Sequence, residues 1–114
     1  MIQEFNNCLK HKVAYVAIGE FKPGRFSQAQ GLYEQAVSKY DEGFKGAFLL
    51  QKMGTDDDKG IAMILWENIE DMEKNQTADG KKILEEMNQL FASPPDTDFY
   101  EVCSEIKPAQ VALN

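Results

Sequence analysis

The chain is poor in histidine and cysteine, the residues that build most zinc sites and many nucleophilic active sites. Its 114 residues include one histidine, His11, and two cysteines, Cys8 and Cys103, without the spacing of metal ligands. There is also no P-loop, no GxGxxG fingerprint and no serine elbow. The sequence therefore argues against a zinc enzyme, a nucleotide-binding enzyme and a serine hydrolase, and we expect no metal, heme or flavin.

The sequence also lacks a long apolar run and an excess of basic residues. No stretch approaches the roughly 18 apolar residues of a membrane span, and residues 1–12 contain no apolar signal core. We therefore expect a cytoplasmic protein with free thiols, in which Cys103 is buried within a strand. The net charge of −7 is spread along the chain, which disfavours nucleic acid and anionic membranes, because both are bound mainly by basic patches.

What is present is the pattern of one α+β domain. Runs rich in β-forming residues predict four strands, at 13–21, 44–53, 61–67 and 99–106. Apolar residues at steps of three and four predict a helix at 25–40 and a second, broken helical region between 68 and 92. The order βαββαβ predicts a ferredoxin-like plait, a four-stranded antiparallel sheet with the helices on one face. Its core covers about 13–107, with an N-terminal extension at 1–12 and a tail at 108–114.

Several predicted strands are apolar on both faces. Every residue from Ile61 to Trp66 is apolar, and 13–18 and 46–50 behave in the same way. Because side chains alternate across a strand, both faces of this sheet must be covered. Two helical regions cover one face only, so we expect a second copy of the chain to cover the other, as a homodimer.

Four short segments connect this pattern to a known family. They are Lys22-Pro23-Gly24 after the first strand, 43–46 (Gly-Phe-Lys-Gly) before the second, 65–68 (Leu-Trp-Glu-Asn) at the end of the third, and the following 69–72 (Ile-Glu-Asp-Met). With the amphipathic helix between them, the chain resembles the antibiotic biosynthesis monooxygenase-like proteins of the dimeric α+β barrel superfamily over residues 13–107. The resemblance implies a plait whose sheets pair face to face. Members include cofactor-free oxygenases of aromatic polyketides, heme-degrading and quinone monooxygenases, and proteins without assigned function.

The heme-degrading branch of that family is excluded residue by residue. It has an asparagine on the first strand, a tryptophan ending the third, and an iron-binding histidine on the helical segment that follows. Trp66 matches the tryptophan, but Ala17 stands at about the asparagine position and residues 74–77 contain no histidine. Two of the three functional residues are absent, so the resemblance does not imply heme degradation.

The same alignment predicts which way each strand faces. Tyr15, Ala17, Gly19 and Phe21 should share the helix side with Ile64 and Trp66, whereas Ala14, Val16, Ile18, Met63 and Leu65 should face the partner. The family's ligand pocket lies between the helices and the sheet, so the resemblance implies substrate contacts from Tyr15, Tyr33 and Trp66. Leu84 and Phe91 are further candidates, and the small Ala17 and Gly19 would leave room. The alternative is that these aromatic residues only form core, because apolar stripes at helical spacing usually pack.

No catalytic residue can be assigned from the sequence. His11 could act as a general base, but it belongs to no motif, and a surface or strand-entry histidine is the favoured interpretation. The aspartates at 56–58 lack the spacing of a calcium loop, so we expect a solvated hairpin turn.

Two functions remain open. The first is a cofactor-free monooxygenase that acts on a planar phenolic or quinoid molecule. The second is a protein of the same fold that binds a small ligand, or serves in stress, without catalysis.

Overall fold

A four-stranded antiparallel sheet carries the fold in the computed structural model, which describes residues 9–109. The strands are β1 (Val13–Glu20), β2 (Phe44–Gln51), β3 (Lys59–Trp66) and β4 (Asp96–Glu101), in the spatial order β2-β3-β1-β4. The helices are α1 (Phe26–Val37), α2 (Ile69–Lys74) and α3 (Ala78–Asn88). The predicted plait is confirmed, including the break in its second helical region. None of the helices in this range is long and apolar enough to cross a membrane.

The two central strands are the ones that the sequence makes most apolar. β1 pairs with β3 along its whole length, from Val13 opposite Trp66 to Glu20 opposite Lys59. β2 and β4 flank this pair as edge strands. Central strands are buried on both sides when the sheet faces are covered, so their composition and position agree.

The predicted faces of the sheet are confirmed. Phe21, Ile64 and Trp66 pack in one core cluster with residues of α1 and α3, whereas Ala14, Val16 and Leu65 form a separate cluster on the opposite side. Among residues 9–109, no helix packs on this opposite side, which we call the bare face. Several of its large side chains are exposed: Ile18, Phe48, Leu50 and Tyr100.

The C-terminal strand and its cysteine differ from the prediction. β4 spans Asp96–Glu101 rather than 99–106, because it pairs with β1 only from Val13 opposite Glu101 to Ile18 opposite Asp96. β1 begins at Val13, so residues beyond Glu101 leave the regular ladder. Cys103 is therefore exposed, and its predicted burial was wrong. Cys8 lies outside the described residues.

A tight connection fixes the short helix α2 to the turn that ends at Gly43. The Asp71 carboxylate is buried and accepts a hydrogen bond from the Asn68 backbone N–H (3.0 Å), which caps the helix. Gly43 has φ +82° and lies so close to Asp71 that a Cβ there would collide with the carboxylate. The Asn75 amide joins the same turn, since it accepts from the Asp41 N–H and donates to the Glu42 carbonyl, both at 2.8 Å.

Candidate functional site

A cavity of about 130 Å³ lies between the helix side of the sheet and the helices α2 and α3. Its walls combine apolar side chains with neutral polar groups. The lining residues are Tyr15, Ala17, Tyr33, Tyr40, Ala62, Ile64, Met72, Gln76, Leu84, Met87, Asn88, Phe91, Pro95 and Thr97. The structure therefore brings Tyr15, Tyr33, Leu84 and Phe91 together at one site, where the family resemblance implied a pocket.

The floor of the cavity is one row of small residues across the sheet. Ala17 pairs with Ala62 on one side and with Thr97 on the other, so three small side chains lie next to each other. The neighbouring row, Gly19 opposite Gly60, is smaller still but is filled. A Cβ on Gly60 would be 2.8 Å from the ring of Phe26, and one on Gly19 would be 2.8 Å from the ring of Phe91. The space over Ala17 therefore stays open, and the space over Gly19 does not.

Tyr33 forms a wall whose hydroxyl is already engaged. The hydroxyl lies 2.9 Å from the carbonyl oxygens of both Phe48 and Met63, which share its one O–H proton. Burial is the main cause that raises the pKa of Tyr33, and the neighbouring Tyr40 raises it further. Tyr33 thus joins α1 to the β2–β3 pair as a neutral phenol.

Tyr15 and Tyr40 present the hydroxyls that remain available. Within the described residues, neither hydroxyl is hydrogen-bonded to the protein, in contrast with that of Tyr33. Burial raises the pKa of Tyr40 and the adjacent Tyr15 raises it further, so Tyr40 stays protonated at neutral pH. The two phenols can therefore donate hydrogen bonds to a ligand oxygen, but Tyr40 does not act as a base there.

Other polar groups of the lining were not anticipated from the sequence. Gln76, Asn88 and Thr97 bring two amides and a hydroxyl to the cavity. Gln76 lies between α2 and α3, so the break in the second helical region was the one signal for it. No carboxylate or imidazole lines this cavity among residues 9–109.

Trp66 lies outside the residues that line the cavity. Its side chain is 0% exposed and packs against Tyr40 and Phe44, with ring centroids 5.0 and 5.7 Å away. Its Nε1–H is buried and has no hydrogen-bond partner within the described part of the chain. Since Tyr40 contacts both Trp66 and the cavity, the tryptophan supports the wall from behind.

The cavity continues into an open outer groove of about 850 Å³ beside the α3–β4 connection. Some residues line both spaces, and we call them the neck. They are Tyr15, Asn88, Phe91, Pro95 and Thr97. Lys22 lies at the rim of the outer groove and is its charged residue. The neck residues are thus common to the inner cavity and to the open groove.

The remaining candidates lie away from the cavity. His11 is exposed, and its Nδ1 lies 2.7 Å from a carboxylate oxygen of Glu101. The aspartates at 56–58 lie in the turn between β2 and β3, where Asp56 pairs with Lys52 and Asp58 accepts from the Gly24 N–H. This placement agrees with a surface role for His11 and with a solvated hairpin turn at 56–58.

Comparison with known proteins shows which solved structures share this fold. The sequence matches no family model, and no curated protein is significantly similar to it. Solved structures are similar. A protein of Bordetella bronchiseptica, provisionally named an antibiotic biosynthesis monooxygenase, superimposes with TM-score 0.65 and 19% identity, covering 80% of this chain and 96% of its own. SnoaB, a cofactor-independent oxygenase from Streptomyces nogalater, gives TM-score 0.67 and 9% identity, covering 91% and 99%. A conserved protein from Methanosarcina mazei gives 0.69 and 13%, covering 78% and 90%.

The chain has the fold of the antibiotic biosynthesis monooxygenase-like proteins. This confirms the resemblance drawn from the sequence motifs, and at these identities the likeness concerns the fold alone. The site has to be interpreted from its own residues.

Trp66→Ala is expected to lower the free energy of unfolding by about 3–5 kcal/mol, because it removes a fully buried ring from a packed aromatic group. Urea denaturation followed by circular dichroism measures the loss. Ile106→Ala is the matched control, since Ile106 is 89% exposed and its truncation should cost little. A loss below about 1 kcal/mol at Trp66 would mean that the ring borders empty space.

The stability of the protein is expected to fall as the pH rises above 10.0. The pKa values of Tyr33 and Tyr40 are raised in the folded chain above the 10.0 of an unperturbed tyrosine. Above pH 10.0 the unfolded chain releases these protons while the folded chain keeps them, so unfolding becomes more favourable until the folded pKa is passed.

Urea unfolding of wild type and Tyr33→Phe on both sides of pH 10.0 tests this. The variant should be less stable at neutral pH by about 0.5–1.5 kcal/mol, for the lost hydrogen bond, but its alkaline decline should be shallower. An equally steep decline in both proteins would contradict the assignment to Tyr33.

Proposed function

We propose that the protein is a cofactor-free monooxygenase of a planar phenolic or quinoid molecule, bound in the cavity between helices and sheet. The supporting observation is a largely apolar cavity whose lining includes Tyr15, Tyr40, Gln76 and Asn88. Such a space suits an aromatic ring that carries oxygen substituents. The likeness to SnoaB adds that this fold serves a cofactor-independent oxygenase.

In the proposed reaction, the substrate supplies the electrons. An electron-rich phenolate reduces dioxygen, and a C–O bond forms at a ring carbon. The ring proton at that carbon is lost, the O–O bond breaks, and the second oxygen atom leaves as water. A hydroquinone and one dioxygen thus give a hydroxyquinone and one water. The cavity contributes desolvation and orientation, which favour the reaction of the anion with oxygen.

Tyr15 and Tyr40 hold the substrate oxygen in this proposal. As protonated phenols they donate hydrogen bonds to the phenolate, and such charge-assisted bonds are about twice as strong as neutral ones. This lowers the pKa of the bound substrate. Solvent takes the proton through the neck, where the charge of Lys22 at the outer rim favours entry of an anion. Tyr33 serves as a wall, and Trp66 acts only through its contact with Tyr40.

One observation favours the second function, binding of the same ligand without turnover. The cavity has neither a carboxylate nor an imidazole in its lining, within the described residues, to act as a base. A binding protein would retain the affinity for phenols and consume no oxygen.

Oxygen uptake with hydroquinone separates the two functions. We expect the protein to consume oxygen above the uncatalysed rate, and Tyr15→Phe and Tyr40→Phe each to lower kcat by about ten- to a hundredfold, as loss of a hydrogen bond to a charged group does. Tyr100→Phe, on the bare face, is the matched control. Binding of phenols with no uptake above background would establish the non-catalytic function instead.

We also propose that the bare face pairs with a second copy of the chain. Its apolar rows run across the sheet, with Phe48 opposite Met63 and Met63 opposite Val16, and Leu50, Ile61 and Ile18 in the next row. Phe48 is 54% and Leu50 48% exposed in the single chain, and a contiguous apolar surface of this kind is typical of a protein interface.

Phe48→Glu is expected to convert a dimer into a monomer. The exposed position of Phe48 lets the single chain accept the charge, but a dimer would have to bury it unpaired. Size-exclusion chromatography with light scattering measures the mass. Met53→Glu is the control, because Met53 is 91% exposed in the β2–β3 turn, away from the paired rows. A monomeric wild type at micromolar concentration would overturn the proposal.

A further inference from the structure

The inner cavity is small, and its size limits which aromatic ligands it can hold. Its volume is about 130 Å³. For comparison, an engineered apolar protein cavity of about 150 Å³ binds benzene. The space over Ala17 thus corresponds to one six-membered ring, and a second fused ring would need room that only the outer groove offers.

Phe91 lies at the boundary between the two spaces, as one of the residues that line both. Its ring stacks on Phe21, with centroids 4.3 Å apart and planes inclined by 22°. On the sheet side it lies directly over Gly19, where any Cβ would meet it at 2.8 Å. The ring is therefore packed on two sides.

The backbone of Phe91 is fixed as firmly as its ring. The Lys22 N–H donates to the Leu90 carbonyl (2.7 Å) and the Ala92 N–H donates to the Glu20 carbonyl (2.8 Å). These bonds pair the segment that follows α3 with the end of β1, and Phe91 bridges to Phe21. The hydrogen bonds anchor the backbone on both sides of Phe91, and its contacts with Phe21 and Gly19 hold the ring.

We infer that Phe91, seated on Gly19, limits the inner cavity to single-ring phenols and keeps fused rings out of the space that Tyr40 lines. The inference rests on the proposed function for the identity of the ligand, and it makes the substrate monocyclic. This size limit reverses the order of affinities that hydrophobicity alone would give to phenol and naphthol. A naphthol buries more apolar surface than a phenol and binds more tightly wherever there is room for it.

Calorimetric titration with phenol and 2-naphthol tests this inference, because the two share one hydroxyl and differ by one ring. Wild type should bind one phenol per chain, and 2-naphthol about tenfold more weakly or less. Phe91→Ala should raise the affinity for 2-naphthol by about tenfold and reverse the order, and Phe91→Leu should give a smaller rise. Leu90→Ala is the matched control, since Leu90 belongs to the same segment but lines neither space. It should leave the ratio unchanged.

Ala17→Leu provides a second variant that does not depend on the folding of Phe91→Ala. It fills the cavity from the floor and should abolish phenol binding. Tighter binding of 2-naphthol than of phenol by wild type, or an unchanged ratio in both Phe91 variants, would overturn the inference. Because these titrations require no turnover, a protein that selects phenol but consumes no oxygen would refute the monooxygenase and leave the role of Phe91 intact. Oxygen uptake by a protein that binds 2-naphthol more tightly than phenol would support the monooxygenase and refute the role of Phe91.

Discussion

The pairing of β1 with β3 is the constraint on which the rest of the molecule depends. Its register sets Ala17 opposite Ala62 and Gly19 opposite Gly60, so two consecutive rows on the helix side are nearly without side chains. Such rows must be filled from above or remain open, because interiors are otherwise packed closely. Phe26 and Phe91 fill the glycine row. No comparable ring covers the alanine row, and the cavity is the result.

The fold was predictable because its main signals are local. Strands that are apolar on both faces, a helix with a regular stripe, and glycine and proline at the turns each depend on neighbours in sequence. The orientation of Tyr15 toward the helices and of Val16 away from them followed from the period of two, once Trp66 set the phase. β4 was misplaced because its polar residues, Asp96 to Asp98, carry little strand signal of their own. Pairing with β1 decides its position.

The site was less predictable because its walls come from distant parts of the chain. Tyr40 follows α1, Gln76 lies between α2 and α3, and Thr97 belongs to β4. No pattern in the sequence says that these three meet. Tyr15, Tyr33 and Trp66 were selected together, yet only the first two line the cavity. Trp66 lies on the same face of the sheet, but it pairs with Val13 in the row next to that of Tyr15. There Tyr40 and Phe44 pack against its ring.

The turn at Gly43 has a consequence for how this cavity can change over evolution. Gly43 lies against Asp71, and Asn75 holds the same turn, so the segment that follows Tyr40 and the helix that carries Met72 are joined as one body. A substitution that enlarged residue 43 would displace Tyr40 and Met72 together. Two walls of the cavity therefore vary as a unit, whereas Asn88 on α3 lies outside this connection and can be substituted separately. New ligand specificities in descendants of this chain should arise on the α3 side.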